Sequence, residues 1–130
     1  MSTRAIVAIP VKDGYETAWC WNDGSPSNLG QELRKYFKTQ AQVRELIKEH
    51  SFSFVCGKKF KKEMLEQFPE QVTENNFKLL SNKRYVLQHN HDGKVVCGGE
   101  NGFFTTIQEI LEHDLNYVYV FENYRWKTYK

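Results

Sequence analysis

Ala5 to Val11 is the longest uninterrupted apolar run in the chain, and it is rich in β-branched residues. Residues 3–10 are therefore expected to form a β-strand. Asp13-Gly14 marks a tight hairpin turn. The return strand is expected over residues 15–21. It places Tyr15, Thr17, Trp19 and Trp21 on one face and Glu16, Ala18 and Cys20 on the other. Asn22-Asp23-Gly24-Ser25-Pro26 has the composition of a loop.

The apolar period then lengthens to that of a helix. Asn28 with Gln31 predicts a capped start, and Leu29, Leu33, Tyr36 and Phe37 form a stripe to about Lys38. Thr39 with Gln42 repeats the signature, and Val43, Leu46 and Ile47 carry a second short helix to about His50. Residues 51–56 are expected to be extended. A third helix is expected over residues 58–68, with Phe60, Met64, Leu65 and Phe68 on one face and Pro69 as its stop. Residues 70–82 are polar and carry no clear period.

Residues 84–88 and 94–97 flank His89-Asn90-His91-Asp92-Gly93, which reads as a second hairpin. Gly98-Gly99-Glu100-Asn101-Gly102 is a glycine-rich loop. Thr106 with Glu109 caps a fourth helix carrying Ile107, Ile110 and Leu111. Residues 117–121 and 124–128 flank a turn at Glu122-Asn123. Strands at both ends with helices between them predict one α+β domain over residues 1–130. Its sheet is expected to be antiparallel, built from the N- and C-terminal hairpins, with the helices packed on one face.

A length of 130 residues fits one domain. The 9 Phe, 7 Tyr and 3 Trp point to a small core built from large rings. No apolar run approaches the ~18–20 residues of a membrane span, and the N-terminus shows no signal-peptide pattern. Cys20, Cys56 and Cys97 are odd in number and form no C-x-x-C pair, which points to a reducing, cytoplasmic setting. A net charge of +2 is too small to imply DNA binding.

Several segments could carry chemistry, and each has a simpler structural account. The loop 98–102 precedes a helix but matches neither phosphate-loop pattern. His89 and His91 could share a strand face, yet the spacing supplies no further metal ligand. The three cysteines lie in apolar surroundings, as buried thiols do. Lys58, Lys59, Lys61 and Lys62 fit the solvated face of the helix whose Phe60 points inward, with Glu63 and Glu66 at pairing distance. Trp19 and Trp21 fit the core, although Trp21 borders the loop. No complete catalytic set emerges, which favours a binding protein over an enzyme. No catalytic residue, metal or cofactor is expected.

Three segments together resemble a class of small phage and prophage proteins. They are the start Met1-Ser2-Thr3-Arg4, the run Trp21-Asn22-Asp23-Gly24-Ser25-Pro26 and the helix opening Asn28-Leu29-Gly30. The class begins M-[GS]-T-R and carries a W-D-G-x-P motif one hairpin later; here Asn22 stands between the Trp and the Asp. Among phage proteins of this size and layout, the chain resembles the first-described anti-Thoeris sponges. Those proteins sequester cyclic ADP-ribose isomers without cleaving them, form homo-oligomers, and in some cases also bind cyclic oligonucleotides. The resemblance implies a cytoplasmic anti-defence protein in an infected bacterium, with a small cyclic nucleotide as its partner. No contact residue is carried over from that family.

Capture of such a ligand needs ring planes for a base, arginines for phosphates and amides for base edges. Trp21 or Phe54 is the expected stacking ring. Arg34 and Arg125 are the expected phosphate ligands, and Asn101 the expected edge reader. Two alternatives remain open: a protein–protein inhibitor of a host defence system, or a small hydrolase using a cysteine or the His89/His91 pair.

Overall fold

The computed structural model describes residues 3–88, 90–91, 94–95, 102–113 and 116–129. The strands are β1 (Ala5–Val11), β2 (Gly14–Cys20), β3 (Ser51–Cys56), β4 (Phe77–Leu79), β5 (Tyr85–Gln88), β6 (Asn90–His91), β7 (Lys94–Val95), β8 (Phe103–Phe104), β9 (Tyr117–Glu122) and β10 (Arg125–Tyr129). The α-helices are α1 (Gln31–Tyr36), α2 (Gln40–Ile47), α3 (Lys58–Gln67) and α4 (Ile107–Leu111). Together they form the expected single α+β domain.

One sheet runs in the order β10-β9-β1-β2-β3-β5-β4, and β8 pairs with the far end of β2. The sheet is mixed, not purely antiparallel: β1 lies parallel to β9 and β2 parallel to β3. The reason is visible in β1, where Ala5 to Ile9 are all buried. A strand apolar on both faces must be central and covered on both sides. Ala5, Val7 and Ile9 pack under α1 and α2 with Leu33, Phe37, Val43 and Leu46. Ile6 and Ala8 pack on the opposite face with Ile107, Ile110 and Leu111 of α4. The helices therefore occupy both faces, not one. A third cluster, Phe54, Cys56, Phe77 and Leu87, packs against Met64 and Leu65 of α3, and no residue of α3 is itself fully buried.

The first helical turn starts earlier than expected. Pro26–Gly30 forms a wide π-type turn with Ser25 at the N-cap. The Ser25 carbonyl accepts from the Asn28 and Gly30 N–H groups, while the Asn28 amide donates to Ser25 Oγ at 3.2 Å. Proline favours this first position because it has no N–H to satisfy and its φ is already helical. The capping boxes at Thr39/Gln42 and Thr106/Glu109 form as expected. The polar stretch 70–82 contains a short 3-10 turn, Glu74–Asn76, and edge strand β4. The expected second hairpin forms with different strands: β6 pairs β7, so Asn90 and His91 lie in a strand and not in the turn, while β5 pairs with β3 and β4 instead. His89 and residues 92–93 and 96–97 lie outside the described residues.

Gly14 permits one close approach. A Cβ there would overlap the Phe104 carbonyl and stand 2.8 Å from the Phe103 ring, so β8 could not lie along β2. Thr17, in the middle of β2, fixes the start of β8 by donating from both N and Oγ1 to the Gly102 carbonyl, at 2.9 and 2.6 Å.

Tyr119 ties β9 to the loop before α1. It is fully buried, and its hydroxyl donates to the Gly24 carbonyl at 2.7 Å. Tyr119→Phe leaves that carbonyl buried without its donor. The expected loss is about 1–3 kcal/mol in urea unfolding, and an unchanged midpoint would show the bond to be replaceable by water.

Candidate functional site

The break between α1 and α2 builds one end of an open cleft. The Phe37 N–H closes α1 on the Leu33 carbonyl at 3.0 Å. The Gln42 side chain then accepts from the N–H groups of Lys38 and Thr39, at 2.8 and 3.2 Å. This turns the chain and leaves the Phe37 carbonyl free to accept from Trp126 Nε1 at 3.0 Å. Trp126 stands on β10 and packs on the Phe121 ring at 5.0 Å.

Between these elements lies an open cleft of about 410 Å³, lined by Arg34, Phe37, Lys38, Phe121, Tyr124, Arg125 and Trp126. That volume falls in the range of small-molecule sites. Its lining carries three cationic side chains and no carboxylate, histidine or cysteine. None of the three cations has an ion-pair partner among the described residues. Arg34 lies against Gly30 and, among the described residues, makes only a long bond of 3.4 Å to Thr128 Oγ1. Glu122 stands opposite Arg125 across the turn, and burial, and then the Glu122 carboxylate, push the Tyr15 hydroxyl up.

Trp126→Phe keeps most of the ring wall but removes the donor to the Phe37 carbonyl. A loss of about 1–2 kcal/mol is expected in thermal unfolding. No change would mean that the bond does not fix the cleft wall.

A second cleft, of about 350 Å³, lies between α1 and the start of α3, and it includes Asp23, Glu32, Tyr36, Phe54, Cys56 and Arg84. Here the charge is neutralised internally. Arg84 pairs with Glu32 and lies on the Tyr36 ring, 3.9 Å from its centroid. Gly57 makes room for it, since a Cβ would stand 2.6 Å from the guanidinium. Arg84 Nε is buried without a hydrogen-bond partner among the described residues.

Of the expected binding residues, Arg34 and Arg125 both line the first cleft and Phe54 lines the second. Trp21 lines neither. It packs on Trp19 at 5.5 Å, and its Nε1 donates to Ser51 Oγ at 2.7 Å, which holds the ring against the sheet. Asn101 and most of the glycine loop lie outside the described residues. Lys61 departs from the solvated face expected for the lysine cluster: it pairs with Glu74 at 2.7 Å and lies 4.3 Å from the centre of the Tyr85 ring. Sequence reasoning passed over Lys38, Phe37, Tyr124 and Trp126. The available signal was the aromatic C-terminal hairpin, but nothing local tied it to the end of α1.

Cys20 and Cys56 are buried. Burial pushes the Cys20 thiol far up and the Cys56 thiol up to about 11. A protonated thiol is a poor nucleophile, so mapped peptides are expected to show both unmodified by iodoacetamide at pH 7.5. The Cys56 contribution to stability is present below about pH 9 and is lost as pH rises through about 11, because the unfolded chain ionises first. Unfolding midpoints are therefore expected to fall over that window. Rapid labelling of either thiol in the native protein would contradict this placement.

Among the described residues, no group of three or more His, Cys, Asp or Glu is placed to hold a metal, and no helix is long and apolar enough to cross a membrane. Compared with known family models, curated proteins and solved structures, the chain matches none.

Proposed function

We propose that this protein binds a small, phosphate-bearing ligand of nucleotide type in the cleft between α1 and the C-terminal hairpin, and holds it without chemical change. The observation that carries this reading is that Arg34 and Arg125, from distant parts of the chain, both line one cleft with Trp126 and Tyr124. Guanidinium groups bind phosphate through paired donors, and ring faces suit a base. The lining has no carboxylate, imidazole or thiol to act as a general base or nucleophile, which favours capture over turnover. The resemblance to anti-Thoeris sponges extends the proposal: a cyclic ADP-ribose isomer as ligand, a homo-oligomer as the working state, and a phage countermeasure as the role.

The test is a thermal-shift panel of cyclic ADP-ribose isomers and cyclic di- and trinucleotides, followed by mass spectrometry of the ligand released on denaturation. A ligand at 100 times its Kd adds about 2.7 kcal/mol of stability, a shift of several degrees. A shift with intact ligand released supports capture. A cleaved product makes the protein an enzyme. A flat panel moves the reading to a protein–protein inhibitor, to be pursued by pull-down from host lysate.

A further inference from the structure

The turn between β9 and β10 holds its two residues in the left-handed region, Asn123 at φ 51° and Tyr124 at φ 60°. Arg125 pairs with Glu122 across it, so it is a two-residue hairpin turn of the primed kind. Asn suits the first position. The second is ordinarily glycine, because a Cβ is strained there. Tyrosine occupies it here, and its surroundings do not offset the strain. The residue is 71% exposed. Its hydroxyl makes no hydrogen bond among the described residues, and its ring only meets the edge of Phe121 at 6.2 Å. The ring nevertheless stands on the cleft lining beside Arg125. The other aromatic wall, the half-buried Trp126, is already fixed by Phe37 and Phe121. Strained, unburied side chains concentrate where a ligand is engaged.

We infer that Tyr124 selects the class of ligand: its ring stacks on a heterocyclic base whose phosphates lie against Arg34 and Arg125. The cleft therefore takes a nucleotide in preference to a phosphate or sugar phosphate without a base. This rests on the reading of the cleft as an anion site. It makes Tyr124 a specificity-determining residue and gives the turn its reason for lacking glycine. Because one turn carries both the ring and Arg125, it also sets the spacing between base and phosphate.

Two probes separate the claims: ADP, and inorganic pyrophosphate, which has the diphosphate without the base. Calorimetric titration of the wild-type protein is expected to show ADP binding at least ten-fold more tightly, the usual worth of stacking one base. Tyr124→Gly is expected to reduce that preference to about two-fold or less while leaving pyrophosphate binding unchanged. Its thermal midpoint is expected to stay level or rise by ~3 °C as the strain is relieved. A purely structural role for Tyr124 would lower the midpoint instead. Tyr124→Phe keeps the ring and is expected to restore the preference. Arg125→Ala is expected to weaken both probes. If Tyr124→Gly keeps the full ADP preference, or the wild-type protein binds both probes equally, the role of Tyr124 is overturned and the anion site stands. If neither probe binds the wild-type protein, the anion site fails and the inference fails with it.

Discussion

Phe37→Ala is expected to destabilise the protein by about 3–5 kcal/mol, the usual result of emptying a fully buried aromatic site. Against the ~5–15 kcal/mol that holds a typical domain, this is a large fraction. Phe37 is inaccessible to solvent and belongs to the cluster that joins α1 and α2 to β1, β3 and β9. It also forms the floor of the cleft. Urea unfolding measures the loss, and the thermal midpoint should fall by more than ten degrees. Phe37→Leu preserves most of the volume and should lose less than half as much. A near-native midpoint for Phe37→Ala would show that α1 does not end on the core as described.

The second large effect is on binding, not folding. The double variant Arg34→Ala/Arg125→Ala is expected to weaken the ligand that gives the largest thermal shift by at least 100-fold. Each guanidinium supplies charge-assisted hydrogen bonds worth about 1.5–3 kcal/mol, or roughly ten- to 100-fold. Both arginines are exposed and without ion-pair partners among the described residues, so the unfolding midpoint should move by less than 2 °C. Replacement by lysine should recover only part of the affinity, because an ammonium group cannot make the paired contact. A double variant that binds within three-fold of the wild-type protein would place the ligand elsewhere, with the Phe54 cleft next to be tested.

Local rules carried much of the secondary structure. Thr39/Gln42 and Thr106/Glu109 are capping boxes in sequence and in structure, because that interaction spans only three residues. β3 and α3 begin where expected, since a change from period two to 3.6 needs no distant partner. Other features depended on remote partners. Parallel pairing of β1 with β9 leaves no signature beyond the two-sided apolar character of Ala5–Ile9, and that hint was open to reading. Asn28 has the chemistry of an N-cap, but Pro26 two residues earlier takes precedence. The final turn falls one residue later than expected, because nothing marks tyrosine as a left-handed residue.

The site divides along the same line. Arg34 and Arg125 were legible as scarce candidates for binding phosphate, but their place in the lining of one cleft is a property of the fold. Trp21 has the right chemistry for stacking, yet Ser51 and Trp19 engage it. Phe54 reaches a cleft whose arginine is already neutralised by Glu32.

The parallel pairing of β1 with β9 also bears on synthesis. The backbone of Arg4 bonds to Asn116 at a separation of 112 residues, and the β1–β9 ladder begins beside it. While a ribosome is making the chain, β1 can hairpin with β2 early, but its second edge and half its cover do not yet exist. An apolar strand with one open edge must wait through most of elongation, a state prone to pairing with other chains. Folding dominated by such distant contacts is slow. Chaperone demand in the nascent chain should therefore persist until β9 emerges, and slowing translation should not relieve it.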